Sequence, residues 1–303
     1  MITKIAKFFL LLIAFLLGLE IIFRIIFPSS SIGQIYIPSN NPRLGYELRP
    51  NSKIIFKGIR VKLPPTQIAI SSDGLRDYRY TVTKPQGTFR IVILGDSIGF
   101  GWGVELEDTF AKRLEARLNN NQKLKYEVIN FSVPGYNTLQ DIEILKTKAL
   151  IYHPDLVIMT LIEDDFFKSR KFPRFPAIRY LAKHSALYRF ISERMVISEA
   201  KRQRESYALV KGISVSLAEL KKLSVENKFD VAILTAIKNV SFMEAAVRRC
   251  KEYNFTVIDW SLACKNILSR KDPHPDSEGH KLIAEQIYEY LLPKLNNENT
   301  RSH

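Results

Sequence analysis

A serine that follows an apolar run is the first residue of this sequence that could perform covalent chemistry. Ser97 comes after the run 91–94 and the pair Gly95-Asp96, and a glycine-rich stretch, 98–104, comes after Ser97. The apolar run predicts a buried strand, so Ser97 would stand where the strand ends and a tight turn begins. A serine hydroxyl in that position, with backbone N–H groups beside it, is suited to act as the nucleophile of an acyl transfer.

A nucleophilic serine requires a base, and the chain contains five histidines. His153 precedes a predicted strand and so belongs to the wrong end of a parallel sheet, His184 lies in a basic segment, and His303 is the last residue. His274 is a better candidate because Asp272 stands close enough in sequence to orient its imidazole ring. We expect both residues to lie in a loop that Pro273 and Pro275 stiffen. A histidine held by a carboxylate is what a Ser-His-Asp system needs.

A structural explanation of the same stretch remains open. Residues 271–280 could form a surface turn before the last helix, with Asp276 or Ser277 as its N-cap. His280 falls inside that helix, and we expect it to pack in the core or to support a residue of the site from behind.

The elements that must position these side chains alternate from residue 89 onward. Short runs rich in Val, Ile and aromatic residues predict five strands, at 89–94, 126–131, 155–161, 230–236 and 256–259. Longer stretches with helical periodicity lie between and after them, at 109–119, 138–149, 215–226, 242–253 and 277–292. The alternation predicts a three-layer α/β domain with a five-stranded parallel sheet, and such sheets bind ligands at the carboxyl ends of their strands.

Residues 1–28 predict one N-terminal transmembrane helix. Lys4 and Lys7 precede an apolar stretch that is interrupted by Glu20 and Arg24, which we expect to pair one helical turn apart. As a helix of about 20 residues the stretch would span roughly 30 Å. A cleaved signal peptide is the alternative, but no small-x-small cleavage site follows the apolar run, which favours a signal anchor. The two lysines predict a cytoplasmic N-terminus. We therefore expect a single-pass membrane protein whose domain is extracytoplasmic.

The formal net charge of +14 is concentrated in two parts of the chain. Residues 1–88 contain 12 Lys and Arg against 4 Asp and Glu, and residues 166–212 contain 12 against 3. Neither part carries a nucleic-acid-binding motif, so we expect no nucleic acid partner. The segment 166–212 predicts a basic helical insertion. It would be a lid or a docking surface for an anionic membrane or polysaccharide, or else a solvated helical pair that only maintains solubility.

The rest of the chain completes the predicted organisation. Residues 29–88, called the extension below, form a connector with a small β-rich part; the α/β domain occupies 89–295, and 296–303 is a C-terminal tail. Cys250 and Cys264 could form one disulfide or remain free thiols. We expect no cofactor and no metal, because the sequence contains neither a metal-binding cluster nor a phosphate-cradling motif.

Three blocks of sequence, in the right order, resemble the SGNH/GDSL hydrolases, which are esterases and lipases with a flavodoxin-like sheet. The blocks are Gly95-Asp96-Ser97, the stretch 130–136, and the stretch 272–275. The resemblance covers roughly residues 40–293. With its N-terminal apolar helix, the sequence as a whole is similar to bacterial membrane-anchored members of the family.

The resemblance implies ester hydrolysis through an acyl-serine intermediate. Ser97 would be the nucleophile and, with its own N–H group, a donor of the oxyanion hole, to which Gly135 would add a second N–H group. His274 would be the general base and acid, oriented by Asp272. The implied substrate is an acyl ester of a lipid or an acylated glycan, outside the cytoplasm.

Two positions depart from the family pattern. The third block is normally Gly-x-Asn-Asp, with the Asn amide completing the oxyanion hole, but Asp164 occupies that place here. An ionised carboxylate would repel the oxyanion, and losing one donor costs about 10² to 10³ in rate, whereas a protonated Asp164 could still donate. In addition, one residue separates Asp272 from His274, where two are usual.

Three functions therefore remain open. The first is an ester hydrolase. The second is an O-acyltransferase or deacetylase acting on cell-surface polysaccharide with the same triad. The third, motivated by Asp164, is a catalytically impaired family member that binds glycan or lipid.

Overall fold

The computed structural model describes residues 2–26, 31–58, 62–120, 124–162, 180, 185–188, 207–236 and 241–301. An N-terminal helix and two short antiparallel hairpins precede the α/β domain. The elements are helix α1 (Ile2–Ile26), strands β1 (Tyr36–Pro38) and β2 (Tyr46–Leu48) of the first hairpin, and strands β3 (Lys53–Phe56) and β4 (Thr66–Ala69) of the second.

Five parallel strands form the central sheet. They are β5 (Thr88–Leu94), β6 (Lys125–Asn130), β7 (Leu156–Leu161), β8 (Asp230–Thr235) and β9 (Thr256–Asp259). Their spatial order is β6-β5-β7-β8-β9, so the chain reverses its direction of travel across the sheet at β5. That strand order is flavodoxin-like, and ligands bind at the reversal point of such sheets. The predicted fold class is confirmed.

Helices cover both faces of the sheet. They are α2 (Ser97–Phe100), α3 (Phe110–Leu118), α4 (Thr138–Ile144), α5 (Tyr207–Asn227), α6 (Ser241–Glu252) and α7 (Ser277–Arg301). Leu114 of α3 and Ile283 of α7 share one buried apolar cluster with Ile93. Helices α4, α5 and α6 contribute to a second cluster on the other face. Because both faces are covered, β7 is buried at every position, as a strand with apolar residues at all positions but Thr160 requires.

The ends of two helices differ from their predicted positions. The last helix is predicted to end at residue 292, but α7 continues through Pro293 to Arg301. Pro293 is exposed and has no N–H group, and the helix tolerates the loss of that one hydrogen bond. Helix α5 already begins at Tyr207, so the end of the predicted 166–212 insertion is helical. Most of that insertion lies outside the described residues.

The extension packs on the α/β domain through buried polar contacts as well as apolar ones. The hydroxyl of Tyr46 donates to the carbonyl oxygen of Pro134 at 2.8 Å, and the side chain of Gln140 donates to the carbonyl oxygen of Leu44 at 2.6 Å. The rings of Tyr46 and Tyr136 meet edge to face with centroids 5.2 Å apart. These contacts lie beside the stretch 130–136, so the extension supports the edge of the sheet where the site is predicted.

Within the described residues, one helix is long and apolar enough to cross a membrane, at Lys4–Ile25. Near its end, Arg24 donates to Glu20 at 2.8 Å, which confirms the predicted pairing one helical turn apart. Glu20 also accepts hydrogen bonds of 2.8 Å from the hydroxyl of Ser185 and the N–H group of Ala186. Such a helix is compatible with a membrane anchor or a signal sequence.

Candidate active site

Ser97 is the first residue of the short helix α2, directly after the sheet strand β5. Gly95 makes this turn possible, since its φ is 155° and an added Cβ would lie 1.9 Å from the hydroxyl oxygen of Thr160. Asp96 caps the helix by accepting a hydrogen bond of 3.0 Å from the N–H group of Ile98. The Ser97 hydroxyl is thereby presented at the carboxyl edge of the sheet.

Two backbone N–H groups at this edge are available to a ligand. The N–H group of Val133 donates to the carbonyl oxygen of Gly95 at 2.9 Å, which holds the stretch leading to Gly135 beside the strand that ends before Ser97. Gly135 is exposed and has a φ of 83°, a conformation that favours glycine. Neither the Ser97 nor the Gly135 N–H group donates a hydrogen bond within the described part of the chain.

His274 and Asp272 lie on a strand and not in the loop that we predicted. Strand β11 (Asp272–Pro275) pairs with β10 (Ile267–Ser269) in an antiparallel hairpin. Side chains two residues apart on a strand point to the same face, which explains how one intervening residue suffices. His274 Nδ1 lies 2.5 Å from Asp272 Oδ1, and His274 Nε2 lies 2.8 Å from Ser97 Oγ.

The electrostatics favour an ionised Asp272. Burial of its carboxyl group raises its pKa, but hydrogen bonds from His274 and from the indole of Trp102 outweigh burial and leave the pKa below its usual value. An ionised Asp272 accepts the Nδ1–H of His274, which leaves the Nε2 lone pair facing Ser97. Sequence reasoning gave Trp102 no role beyond its place in the glycine-rich turn, because a contact with a residue so distant along the chain has no local signal.

A second carboxyl pair lies behind the serine, and sequence reasoning missed it. The Ser97 hydroxyl is also 3.2 Å from Asp96 Oδ2, so Asp96 is a competing acceptor for its single proton. Asp141 in the first turn of α4 is fully buried, and neither of its carboxyl oxygens has a hydrogen-bond partner among the described residues. Burial, together with the charge of Asp96, raises the pKa of Asp141 well above its usual value.

His280 packs in the core, as its helical position predicts. Its ring stacks on Phe110, and its Nδ1 accepts a hydrogen bond of 3.2 Å from the N–H group of Phe110 at the start of α3. Burial lowers its pKa to about 3, so the ring is neutral at physiological pH. His280 is therefore a structural residue.

Two further predictions concern Asp164 and the two cysteines. Asp164 lies outside the described residues, so its place at the third oxyanion position stays a prediction. Cys250 and Cys264 are free thiols. Cys250 is buried, and burial raises the pKa of its thiol to about 12.

The chain matches the family model of the GDSL-like lipase/acylhydrolases over residues 91–287. Because this match covers more than half of the chain, the protein belongs to that family, and the predicted resemblance is confirmed. The match contains Gly95-Asp96-Ser97, Gly135 and the Asp272–His274 pair.

Solved structures are similar to this chain over comparable lengths. The psychrotrophic esterase EstA from Pseudoalteromonas sp., inhibited by monoethylphosphonate, is 18% identical, with 68% of this chain and 98% of that chain covered and a TM-score of 0.48. A lipase/acylhydrolase from Enterococcus faecalis is 16% identical, with 68% and 96% covered and a TM-score of 0.46. No curated protein sequence matches the chain.

Proposed function

We propose that this protein is a membrane-anchored, extracytoplasmic serine esterase that hydrolyses an O-acyl ester through an acyl-Ser97 intermediate. Family membership supports the hydrolase class. The observation that carries the mechanism is the chain of contacts from Ser97 Oγ to His274 Nε2 at 2.8 Å and from His274 Nδ1 to Asp272 Oδ1 at 2.5 Å.

In the acylation step, Ser97 Oγ attacks the acyl carbonyl carbon while its proton passes to His274 Nε2. Asp272 keeps the ring in the required orientation and stabilises the imidazolium that forms. The tetrahedral intermediate then expels the alcohol, which takes the proton from His274. Water repeats the sequence on the acyl-Ser97 ester, releases the carboxylic acid and restores the free serine.

The oxyanion of each tetrahedral intermediate needs donors fixed in advance. The N–H groups of Ser97 and Gly135 supply two, and both are free of other hydrogen bonds within the described ranges. Such donors stabilise charge that develops only in the transition state, and each contributes about 10² to 10³ in rate.

Asp164 is the proposed third member of the oxyanion hole. As a neutral carboxylic acid it would donate a hydrogen bond, and as a carboxylate it would oppose the oxyanion. This substitution favours one alternative function, a family member that binds an acylated glycan or lipid with little turnover. Asp164→Asn separates the two: a large gain in hydrolysis indicates an impaired native site, and a loss indicates that the carboxyl group has its own role.

The membrane assignment follows from α1 and its flanking charges. Lys4 and Lys7 favour a cytoplasmic N-terminus, so the α/β domain would lie on the extracytoplasmic side. The ester substrate is then a lipid or an acylated glycan at the cell surface. Labelling of the α/β domain by a membrane-impermeant reagent in intact cells tests on which side of the membrane the domain lies.

Hydrolysis of short-chain acyl esters by the detergent-solubilised full chain tests the proposal. We expect activity in the wild type and a loss of at least about 10³-fold in Ser97→Ala and in His274→Ala. Ser132→Ala is the matched control, because Ser132 is a buried serine of the same sheet edge whose hydroxyl has no partner among the described residues. Equal activity of wild type and Ser97→Ala would refute the nucleophile. Adding sugar acceptors and analysing the products distinguishes hydrolysis from acyl transfer.

A further inference from the structure

Trp102 contacts all three members of the proposed triad. Its backbone N–H group donates to the carbonyl oxygen of Ser97 at 3.0 Å. Its indole Nε1 donates to Asp272 Oδ2 at 3.3 Å, on the carboxyl oxygen that His274 does not use. Its ring lies beside the imidazole of His274, with centroids 5.5 Å apart and planes inclined by 31°.

We infer that Trp102 is a fourth, positioning residue of the active site, which holds Asp272 in place through its indole N–H group and orients the His274 ring through its face. This inference rests on the proposed function and deepens it. Trp102 acts through the two residues that do the proton transfer.

The indole N–H group matters because of what surrounds Asp272. A buried carboxylate needs its lone pairs satisfied, and Asp272 receives His274 Nδ1 on one oxygen and Trp102 Nε1 on the other. With both oxygens held, the carboxyl group cannot rotate. The imidazole ring of His274, which is hydrogen-bonded to it, is then held in one orientation. Without the indole donor, the carboxylate would be free to rotate and its pKa would rise.

The extension holds Trp102 in this position. Phe56 of β3 packs edge to face on the indole, with ring centroids 4.6 Å apart. The buried guanidinium of Arg76 donates to the carbonyl oxygens on either side of Trp102, at 2.5 Å for Gly101 and 2.6 Å for Val104. Residues outside the family match thus fix a side chain that fixes the triad.

The two tryptophans of the chain provide a matched pair of variants. Trp102→Phe keeps an aromatic ring and removes the N–H group. Trp260→Phe makes the same chemical change at a buried tryptophan whose Nε1 has no partner among the described residues. We expect Trp102→Phe to lower kcat about tenfold to a hundredfold with little change in KM, and to move the acidic limb of the pH profile to higher pH. Trp260→Phe should keep the wild-type values.

Fluorescence supplies a readout that needs no turnover. In Trp260→Phe, Trp102 is the sole tryptophan. Its indole ring lies beside the His274 ring and donates to Asp272, so His274→Gln and Asp272→Asn should each shift the emission, whereas Ser132→Ala should not. This measurement uses a protein that retains Trp102, so it remains decisive where Trp102→Phe fails to fold.

The outcomes separate this inference from the function it rests on. An active wild type with Trp102→Phe indistinguishable from Trp260→Phe in kcat and pH profile overturns the positioning role and leaves the esterase standing. A wild type inactive on every ester refutes the esterase. The fluorescence spectra then decide the inference, and an emission that neither His274→Gln nor Asp272→Asn shifts overturns it.

Discussion

The guanidinium group of Arg76 donates a hydrogen bond of 2.5 Å to the carbonyl oxygen of Gly101, in the turn that follows Ser97. The same buried group donates to the carbonyl oxygens of Phe100 and Val104 at 3.1 and 2.6 Å. Burial lowers the pKa of Arg76 to about 10, which leaves it charged at neutral pH. A single cation from the extension therefore donates hydrogen bonds to three backbone carbonyl oxygens of the turn that follows the candidate nucleophile.

Arg76→Met should destabilise the protein by about 3 kcal/mol or more and lower esterase activity. It removes the guanidinium donor from the carbonyl oxygens of Phe100, Gly101 and Val104, and a buried carbonyl oxygen left without a donor costs about 1–3 kcal/mol. Arg76→Lys should recover only part of the lost free energy of unfolding, because an ammonium group cannot reproduce the geometry of the guanidinium. Denaturant unfolding measures the effect, and the exposed neighbour Arg79→Met is the control. Equal unfolding free energies for the Arg76 and Arg79 variants would contradict this account of the turn.

His280 should make the fold sensitive to acid. Its pKa falls from 6.5 to about 3 in the folded protein, so the unfolded state binds a proton first as the pH drops. This group contributes stability that is present above pH 6.5 and is lost, at about 1.4 kcal/mol per pH unit, as the pH falls toward 3.

His280→Gln tests that dependence. The variant should be less stable than the wild type at pH 7.5, and the difference in unfolding free energy should shrink between pH 6.5 and 4.5. The control is His153→Asn, at an exposed position with positive φ that asparagine tolerates. A difference that stays constant over this range would show that His280 does not titrate as its burial requires.

Asp141 should give the stability of the fold a pH dependence of the opposite sign to that of His280. Because burial and Asp96 raise its pKa, the folded state holds a proton that the unfolded state releases above its ordinary pKa of 3.8. The fold therefore loses stability as the pH rises above that value, by up to about 1.4 kcal/mol per unit. Asp141→Asn, which does not titrate, should gain stability over the wild type between pH 5 and 7. The exposed Asp73→Asn should show no such trend, and a loss for Asp141→Asn that grows with pH would mean that the carboxylate is ionised and paired.

The main features of the fold were predictable because strong local signals carry them. Each of the five sheet strands has an apolar core that needs burial on both faces, and the structure places all of them within two residues of their predicted ends. Ser97 could be found because it follows such a strand. His274 could be found because few histidines compete and Asp272 stands two positions before it.

The remaining features depend on contacts between distant residues, which leave no local pattern. Pro273 and Pro275 suggested a loop around His274, but both tolerate the extended conformation of a two-stranded hairpin. The contact between Trp102 and Asp272 and the clamp by Arg76 join residues far apart along the chain. Asp141 has no local signal either, since nothing in its neighbours along the sequence indicates that α4 buries this position near Asp96.

The most direct test of the central claim is labelling by a fluorophosphonate probe followed by peptide mass spectrometry. An activated serine forms a stable phosphonyl ester, so the wild type and the Ser132→Ala control should carry one adduct, on Ser97. Ser97→Ala should carry none, and His274→Ala should label far more slowly, because its serine lacks a base. Equal labelling of the wild type and Ser97→Ala, or an adduct on another serine, would contradict the account.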